Sequence, residues 1–308
     1  RSTWDSAKGV TRWNPNTSEW DQLGYGLVTV SGTSGTMYGF GHNDKIIACG
    51  YDVTAVGVGT INYVAQYDSA TNLWSAMESG FNNVAFSGAS AYGNAWVGGF
   101  FTAANSRPVK FISKWTGTVW DSLKGGTNAV VLTVVPDSST GERLLILGGT
   151  FDTTRMAGVA TYSKGIVCWS VDSSKYKSFN GLNVTSGSVY EVLMLDGWYY
   201  ILGDFAGVTD GVVTTTSPGM CRWKSGIGLQ NIGTGVNAGT SGSGISCAAI
   251  LNNVLYFGGS FSRVNGMFSY DLGAINLAAA TVVDMGYGPV DKRAEGLCAF
   301  QNKVIGIG

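Results

Sequence analysis

Residues able to carry out chemistry are thinly spread along this chain. The single histidine, His42, stands in "FGHNDK", so a Ser-His-Asp or Cys-His relay would have to run through this one side chain. Its place before a turn and a strand predicts a structural role instead. Zinc has no framework, since no Cys/His ligand spacing occurs. Asp152, Asp204, Asp210 and Asp291 fall in loops, where two carboxyls at a suitable separation hydrolyse glycosidic bonds. Twenty acids dispersed over 308 residues always offer such pairs, and the sequence predicts no catalyst. The glycine-rich stretch "GTGVNAGTSGSG" at 233–244 lacks the Gly-Lys-Ser/Thr ending of a phosphate loop and has no helix after it. It reads as a long loop. No cofactor and no metal are expected.

Side chains that recognise rather than react are better represented. Arg107, Arg155 and Arg263 lie in "FTAANSRP", "FDTTRMAG" and "FSRVNGM". Tyr25, Phe81 and Tyr287 are the middle residues of "GYG" at 24–26, "GFN" at 80–82 and "GYG" at 286–288, and exposed rings there would suit stacking on a sugar. These six are the candidate ligand-binding residues. Matching tripeptides recur as "GTN" at 126–128, "GLN" at 181–183 and "GVN" at 235–237. Gly or Asn at their third position predicts a left-handed turn residue. Two sequons, Asn16-Thr17-Ser18 and Asn183-Val184-Thr185, make Asn16 and Asn183 candidate glycosylation sites.

The surroundings of these residues follow from composition. Hydrophobic residues make up 44% and charged residues 13% of the chain, with a net charge of −1. A large core is available, and Ser, Thr, Asn and Gly must cover most of the surface, as on extracellular proteins. The basic residues form no cluster, which removes the electrostatic footprint of a nucleic-acid binder. The longest apolar runs, such as "AVVLTVV" at 129–135, fall well short of the roughly 20 residues of a membrane helix. The chain opens on Arg1 rather than Met, which fits the removal of a leader or other flanking segment. Cys49, Cys168, Cys221, Cys247 and Cys298 sit in strand-like apolar segments and are expected to be buried free thiols.

The positioning elements repeat. Apolar strands end in glycine at Gly50, Gly99, Gly149, Gly203, Gly259 and Gly308, separated by 49, 50, 54, 56 and 49 residues. Such a period suits a four-stranded propeller blade. The third period shows the pattern: "AVVLTVV", the turn "PDSSTGE", "RLLILGG", a polar loop, "VATYSKGIVCWSV" and the closing "KYKSF". The first two strands are apolar on nearly every position, and the last two alternate. Aromatic pairs flank a short hairpin: Trp13 with Trp20, Tyr67 with Trp74, Trp115 with Trp120, and Trp169 with Tyr176, while Trp223 faces Leu229. Trp115, Trp169 and Trp223 are expected in the core between blades. In such a meander the second-to-third and blade-to-blade connections emerge on one face, so the loops that carry the arginines are expected there, with "YDVTAVGVGTIN" and "FAGVTDGVVTTTSPG".

Gly98, Gly99, Phe101, Gly148, Gly149, Phe151, Gly258, Gly259 and Phe261, with the aromatic pairs downstream, resemble the kelch family. They are more similar still to the GGxF propeller repeats of secreted and cell-surface proteins, including fungal cortical cell-polarity markers and the propeller of galactose oxidase. The copper site of that oxidase needs paired histidines and does not carry over. No sialidase-type S-x-D-x-G-x-x-W box occurs either. The resemblance implies an all-β fold: one domain over 1–308, a six-bladed propeller of four-stranded antiparallel blades, the last closed by the N- and C-terminal halves. The expected function is a non-catalytic, secreted or cell-surface module for binding, adhesion or assembly, with protein or glycan partners and no nucleic acid. A glycan hydrolase and a sugar-binding lectin remain the alternatives.

Overall fold

A computed structural model describes residues 10–14, 16–29, 36–51, 53–55, 61–237, 244–285 and 294–307. Every regular element among them is a β-strand, and none is a helix long and apolar enough to cross a membrane. The chain divides into two compact units, Arg1–Pro136 with Thr153–Thr161, and Asp137–Asp152 with Tyr162–Gly308.

The first unit holds two four-stranded antiparallel meanders. Sheet A runs Thr36–His42, Lys45–Gly50, Val64–Asp68 and Leu73–Ala76; sheet B runs Ala85–Ala91, Asn94–Gly99, Ile112–Trp115 and Trp120–Asp121. The second unit holds sheet D (Val189–Leu195, Trp198–Gly203, Met220–Lys224, Gly228–Asn231) and sheet E (Ile245–Leu251, Val254–Gly259, Leu272–Asn276, Thr281–Val282). It also holds the sheet C strands Leu144–Gly149, Ile166–Ser170 and Lys175–Lys177, preceded in the chain by the strand Val131–Asp137. The first-to-second turns of sheets A, B, D and E are two residues long, and both residues have positive φ, as in Asn43 (47°) and Asp44 (60°) or Tyr92 (54°) and Gly93 (75°). Such mirror-image turns match the twist of paired strands.

The glycine anchors close the second strand, which is mostly buried in every sheet. Their role is close approach. A Cβ on Gly99 would sit 2.3 Å from the Val84 carbonyl oxygen, on Gly203 2.0 Å from that of Ser188, and on Gly259 2.0 Å from that of Gly244. None of these glycines has the positive φ that the residue type also permits. Opposite the anchor, the first strand carries one extra residue at the same place in four sheets: Met37, Phe86, Tyr190 or Ser246. The bulge bends the strand and raises its twist locally. The phenylalanines after the anchors, Phe101, Phe151, Phe205 and Phe261, are all buried.

The aromatic pairs are true cross-strand partners: Trp13 opposite Trp20, Tyr67 opposite Trp74, Trp115 opposite Trp120, Trp169 opposite Tyr176, and Trp223 opposite Leu229. In the first unit the fourth-strand indole also reaches back one period. Trp74 Nε1 donates to the Leu23 carbonyl at 2.8 Å and Trp120 Nε1 to the Met77 carbonyl at 3.0 Å. The same two carbonyls accept the amides of Gly26 and Gly80. Apolar clusters fill the spaces between successive sheets, one around Met77, Phe101 and Trp120 and another around Leu202, Phe257 and Ile275. Ile166–Ser170, the third strand of sheet C, is buried throughout, whereas Met220–Lys224 of sheet D is buried only at its first two residues. The alternation expected there is weaker than the sequence suggests.

Four of the five expected buried thiols, Cys49, Cys168, Cys221 and Cys247, are buried, whereas Cys298 is exposed; all five are free. Cys298 lies on Gly296–Phe300, which pairs only with Lys303–Ile307 among the described residues, so nothing described covers its outer side. Thr11–Asn14 likewise pairs with Glu19–Gln22. Each terminal half is thus a two-stranded sheet among the described residues, where the sequence predicts a single four-stranded one. The anchor Gly308 and residues 238–243 of the glycine-rich stretch lie outside the described residues, as do Asp52, Asp291 and Tyr287.

Candidate functional site

The connections expected to be loops carry structure of their own. In the five periods for which the described residues include both segments, the segment leaving the fourth strand pairs antiparallel with the segment after the next glycine anchor. Leu27–Thr29 pairs with Val53–Ala55, Gly125–Thr127 with Thr153–Met156, Asn183–Val184 with Val208–Thr209, and Val236–Asn237 with Arg263–Val264. In sheet B the match is a single bridge from Phe81 to Ala104. Three of these segments fold back as hairpins: Ala103–Ala104 with Arg107–Pro108, Thr153–Met156 with Val159–Tyr162, and Arg263–Val264 with Met267–Phe268.

This second layer decides the fate of the tripeptides. The left-handed residue is mostly the first glycine: Gly24, Gly80, Gly181 and Gly235 all have positive φ. Gly26 fits the sequence expectation at the third position, but Asn82, Asn128, Asn183 and Asn237 do not. Their side chains or backbones hold the partner segment instead. Asn82 Oδ1 accepts the amides of Thr102 and Ala103, and Asn128 Oδ1 accepts that of Thr153.

The candidate residues separate accordingly. Phe81 is buried, stacked on Phe101 at 4.0 Å and 8° and packed on Trp120 at 4.5 Å. It is therefore a core ring and not an exposed platform, because the turn at Gly80 directs it inward. Arg107 grips Glu78, Nη2 to Oε1 at 2.6 Å and Nη1 to Oε2 at 3.3 Å, and donates to the Trp120 carbonyl. Burial works to raise the Glu78 carboxyl, but the amide of Trp120 together with Arg107 and Asn105 outweighs it and holds the group below its usual range. Arg107 thus clamps its hairpin to the segment between sheets A and B and to the fourth strand of sheet B. Arg263 donates to the Gly266 carbonyl at 2.6 Å and lies 3.7 Å over the exposed Phe268 ring. Arg155 is exposed with no side-chain partner among the described residues, and Tyr25 is exposed.

His42 is buried, with Nδ1 2.9 Å from Ser90 Oγ and Nε2 3.1 Å from Asn43 Nδ2. Burial lowers its pKa. Asn16 is exposed. Asn183 is half-buried; its Nδ2 donates to the Gly181 carbonyl and its Oδ1 accepts the Lys164 amide. Asp204 and Asp210 hold local backbone, the first accepting the Ser188 amide and the second those of Val212 and Val213.

The connections also present a run of apolar side chains to solvent. Tyr51, Phe100, Val159, Tyr162, Val212, Val213, Met267, Phe268 and Tyr270 are all exposed, Val212 at 93%. The sequence pattern points to the arginines rather than to these residues, of which Tyr51, Val159, Tyr162, Val212, Val213 and Met267 lie in segments quoted above, whereas Phe100, Phe268 and Tyr270 lie just outside them. A different feature lies at the other end of the sheet D strands, beside the turns Asp196–Gly197 and Ser225–Gly226. A recess of about 650 Å³ opens there, lined by side chains of sheets C and D, among them Asp137, Glu142, Lys177, Tyr199 and Trp223. Trp223, expected in the core, is only half-buried, unlike Trp115 and Trp169.

No family model and no curated sequence matches the chain. Solved structures resemble it at low identity. U3-55K is 9% identical with a TM-score of 0.52, over 94% of this chain and 77% of that one. The extracellular domain of BT4673 from B. thetaiotaomicron is 13% identical with a TM-score of 0.53, over 95% of this chain and 35% of that one. The computationally designed Ika8 protein is 12% identical with a TM-score of 0.50, over 98% and 87%. At these identities the likeness carries the fold alone, and that fold is an all-β one of the β-propeller kind.

Proposed function

We propose that the chain is a non-catalytic binding module that takes a protein partner on the connections between second and third strands. The observation that carries this reading is the recurrence of exposed apolar side chains in that connection, from Tyr51 and Phe100 to Val212 and Phe268. Exposed apolar groups in such number mark interaction surfaces, and large rings on ordered backbone supply the anchors of protein interfaces. The pairing of each connection with a neighbouring segment holds those side chains in place before binding, which limits the entropy lost on association. Asp204 and Asp210 have backbone duties that leave them ill suited to acid-base work.

The finer reading is a six-bladed ring of the kelch or GGxF kind, closed by Thr11–Gln22 and Gly296–Ile307 in one blade. Its support is the near-50-residue glycine spacing and the complementary halves at the two ends. Export to the cell surface or medium is supported by the 13% charge content and the exposed sequon at Asn16.

The test is a triple variant, Val212→Ser, Phe268→Ser and Tyr270→Ser, beside the parent protein. Both are immobilised and challenged with detergent-extracted surface proteins of the source cells. The proposal expects an unchanged unfolding midpoint and retention of bound protein reduced about tenfold or more; equal retention by both overturns it. A glycoside panel tests the non-catalytic reading, which turnover abolished by Asp204→Asn would reverse. Secretory expression in a glycosylating host should add mass that Asn16→Gln removes.

A further inference from the structure

The recess beside Trp223 coincides with three departures from the repeat. The first concerns a connection. Sheets A, B, D and E join their first two strands by two-residue turns, whereas the segment after Asp137 runs for six residues, Ser138–Arg143, before the next strand. The second concerns a pair of side chains. The last residue of the first strand is His42, Ala91, Leu195 or Leu251 in those sheets, and the corresponding residue of the strand before sheet C is Asp137. The second-strand residue opposite the first aromatic position is Ile46, Ala95, Leu145 or Leu255 elsewhere, and Tyr199 in sheet D. The third is Leu229, which fills the second aromatic position with a smaller side chain, so that the ring opposite Trp223 comes from Tyr199 on the second strand and none from the fourth. In a repeat protein the shared positions serve the scaffold. Local rules broken together at one place point to function.

The departures build one site. Tyr199 OH donates to Asp137 Oδ2 at 2.7 Å, the Ser139 amide donates to Asp137 Oδ1 at 2.8 Å, and Ser139 Oγ lies 2.9 Å from the Tyr199 hydroxyl. Glu142, from the six-residue segment, accepts Lys177 Nζ at 2.6 and 2.9 Å and also the Ser170 hydroxyl. Trp223, Tyr199 and Phe179 form an aromatic wall, with centroids 5.1 to 5.8 Å apart. The carboxylates are held before any ligand arrives, and carboxylate oxygens accept more than one hydrogen bond each.

We propose that this recess binds a neutral sugar residue of a glycan, stacked on the Trp223 face with its hydroxyls hydrogen-bonded to Asp137 and Glu142. The charge balance selects the class. Two carboxylates oppose an anionic ligand, while Lys177 and Lys224 offset them and oppose a cationic one. A wholly apolar ligand would cover fixed carboxylates without supplying donors, at a cost in desolvation. A sugar ring offers an apolar C–H face and a rim of hydroxyl donors, and the recess lies within the usual size range of small-ligand sites. This site is separate from the exposed connections, which leave the opposite ends of the strands.

The test uses the full chain and the methyl glycosides of galactose, mannose, glucose and N-acetylglucosamine as probes in saturation-transfer NMR, followed by a printed array of neutral, sialylated and sulfated oligosaccharides. At least one neutral sugar should receive saturation. Trp223→Ala should weaken its binding about tenfold or more, with Trp223→Phe falling between the two. The Val212, Phe268 and Tyr270 triple variant should bind it normally, so failure of the protein-binding reading is read separately. Absence of binding to every neutral probe and array member, selection of anionic glycans, or binding retained in Trp223→Ala would each overturn the proposal. Should Trp223→Ala fail to fold, Trp223→Phe and Glu142→Gln carry the same decision.

Discussion

Sheets B and D are built on one plan and put it to different uses. Both close their second strand on a glycine with a carbonyl pressed against it, both carry the bulge opposite, and both turn from first to second strand on two positive-φ residues. In sheet B the second aromatic position is Trp120, fully buried and hydrogen-bonded to the Met77 carbonyl. In sheet D it is Leu229, and the ring opposite, Trp223, is half-uncovered at the edge of a recess. A repeat holds its fold through the positions it keeps. A position where one copy differs is free for another task.

The comparison breaks most visibly at the tryptophans. Trp120→Ala should cost about 3–5 kcal/mol in urea unfolding, since it empties a filled site and removes the indole bond to the Met77 carbonyl. Trp223→Ala should cost only about 1–2 kcal/mol, as expected of a half-exposed ring. Equal costs would place Trp223 back in the core. The glycines give the opposite expectation, because here the sheets agree. Gly99→Ala and Gly203→Ala should each lose about 1–3 kcal/mol as the new Cβ displaces a carbonyl, and a harmless change at either would remove close approach as the reason for the anchor.

A pH series sharpens the contrast at the residue beside the bulge. Ser87 occupies this place in sheet B, its hydroxyl accepting the Val134 amide, and Glu191 occupies it in sheet D. Burial pushes the Glu191 carboxyl up to about 7, from an ordinary value of 4.5. Between those values the folded state holds a proton that the unfolded chain has released. The contribution is thus fully present below about 4.5, declines as the pH rises, and is gone above about 7. Glu191→Gln should flatten this slope and stabilise the protein on the order of 1–3 kcal/mol at about pH 8. A slope unchanged by the substitution would show that Glu191 titrates normally. The smallest effect concerns sheet C, where Tyr176 takes the place of Trp120. Its hydroxyl is the one buried side-chain polar atom without a hydrogen-bond partner among the described residues. Tyr176→Phe should leave stability unchanged or raise it by up to about 1 kcal/mol, and a clear loss would reveal a bonded hydroxyl.

The strand pattern was legible because its signals are local: alternating or continuous apolar runs, turn residues, and rings a fixed distance apart. The all-β class and the pairing of Trp115 with Trp120 followed directly from them. Phe81 was misjudged because its direction depends on a left-handed Gly80, and the tripeptide alone does not say which of its residues takes that conformation. The asparagines next to it serve a second layer of pairing between segments a period apart, and no run of strand residues announces it. The recess had a visible signal in "PDSSTGE", longer than the turns of neighbouring periods, and in Leu229 standing where a ring was due. In the sequence only Leu229 stands out as a departure, while "PDSSTGE" reads as an ordinary turn of a regular period. Only the fold brings Asp137 within hydrogen-bond reach of Tyr199, sixty-two positions away along the chain.

The indole bonds that reach back from Trp74 to Leu23 and from Trp120 to Met77 bear on how such a chain lengthens. The period of sheet A contributes one donor to its predecessor and one acceptor to its successor. A tandem duplication of that whole period therefore inserts a matched donor and acceptor together, and neither of these groups is left unpaired at either seam. Duplicating half a period breaks the match twice. Genes for architectures joined in this way should grow and shrink by entire repeats, with breakpoints at any phase tolerated provided the inserted length is one full period.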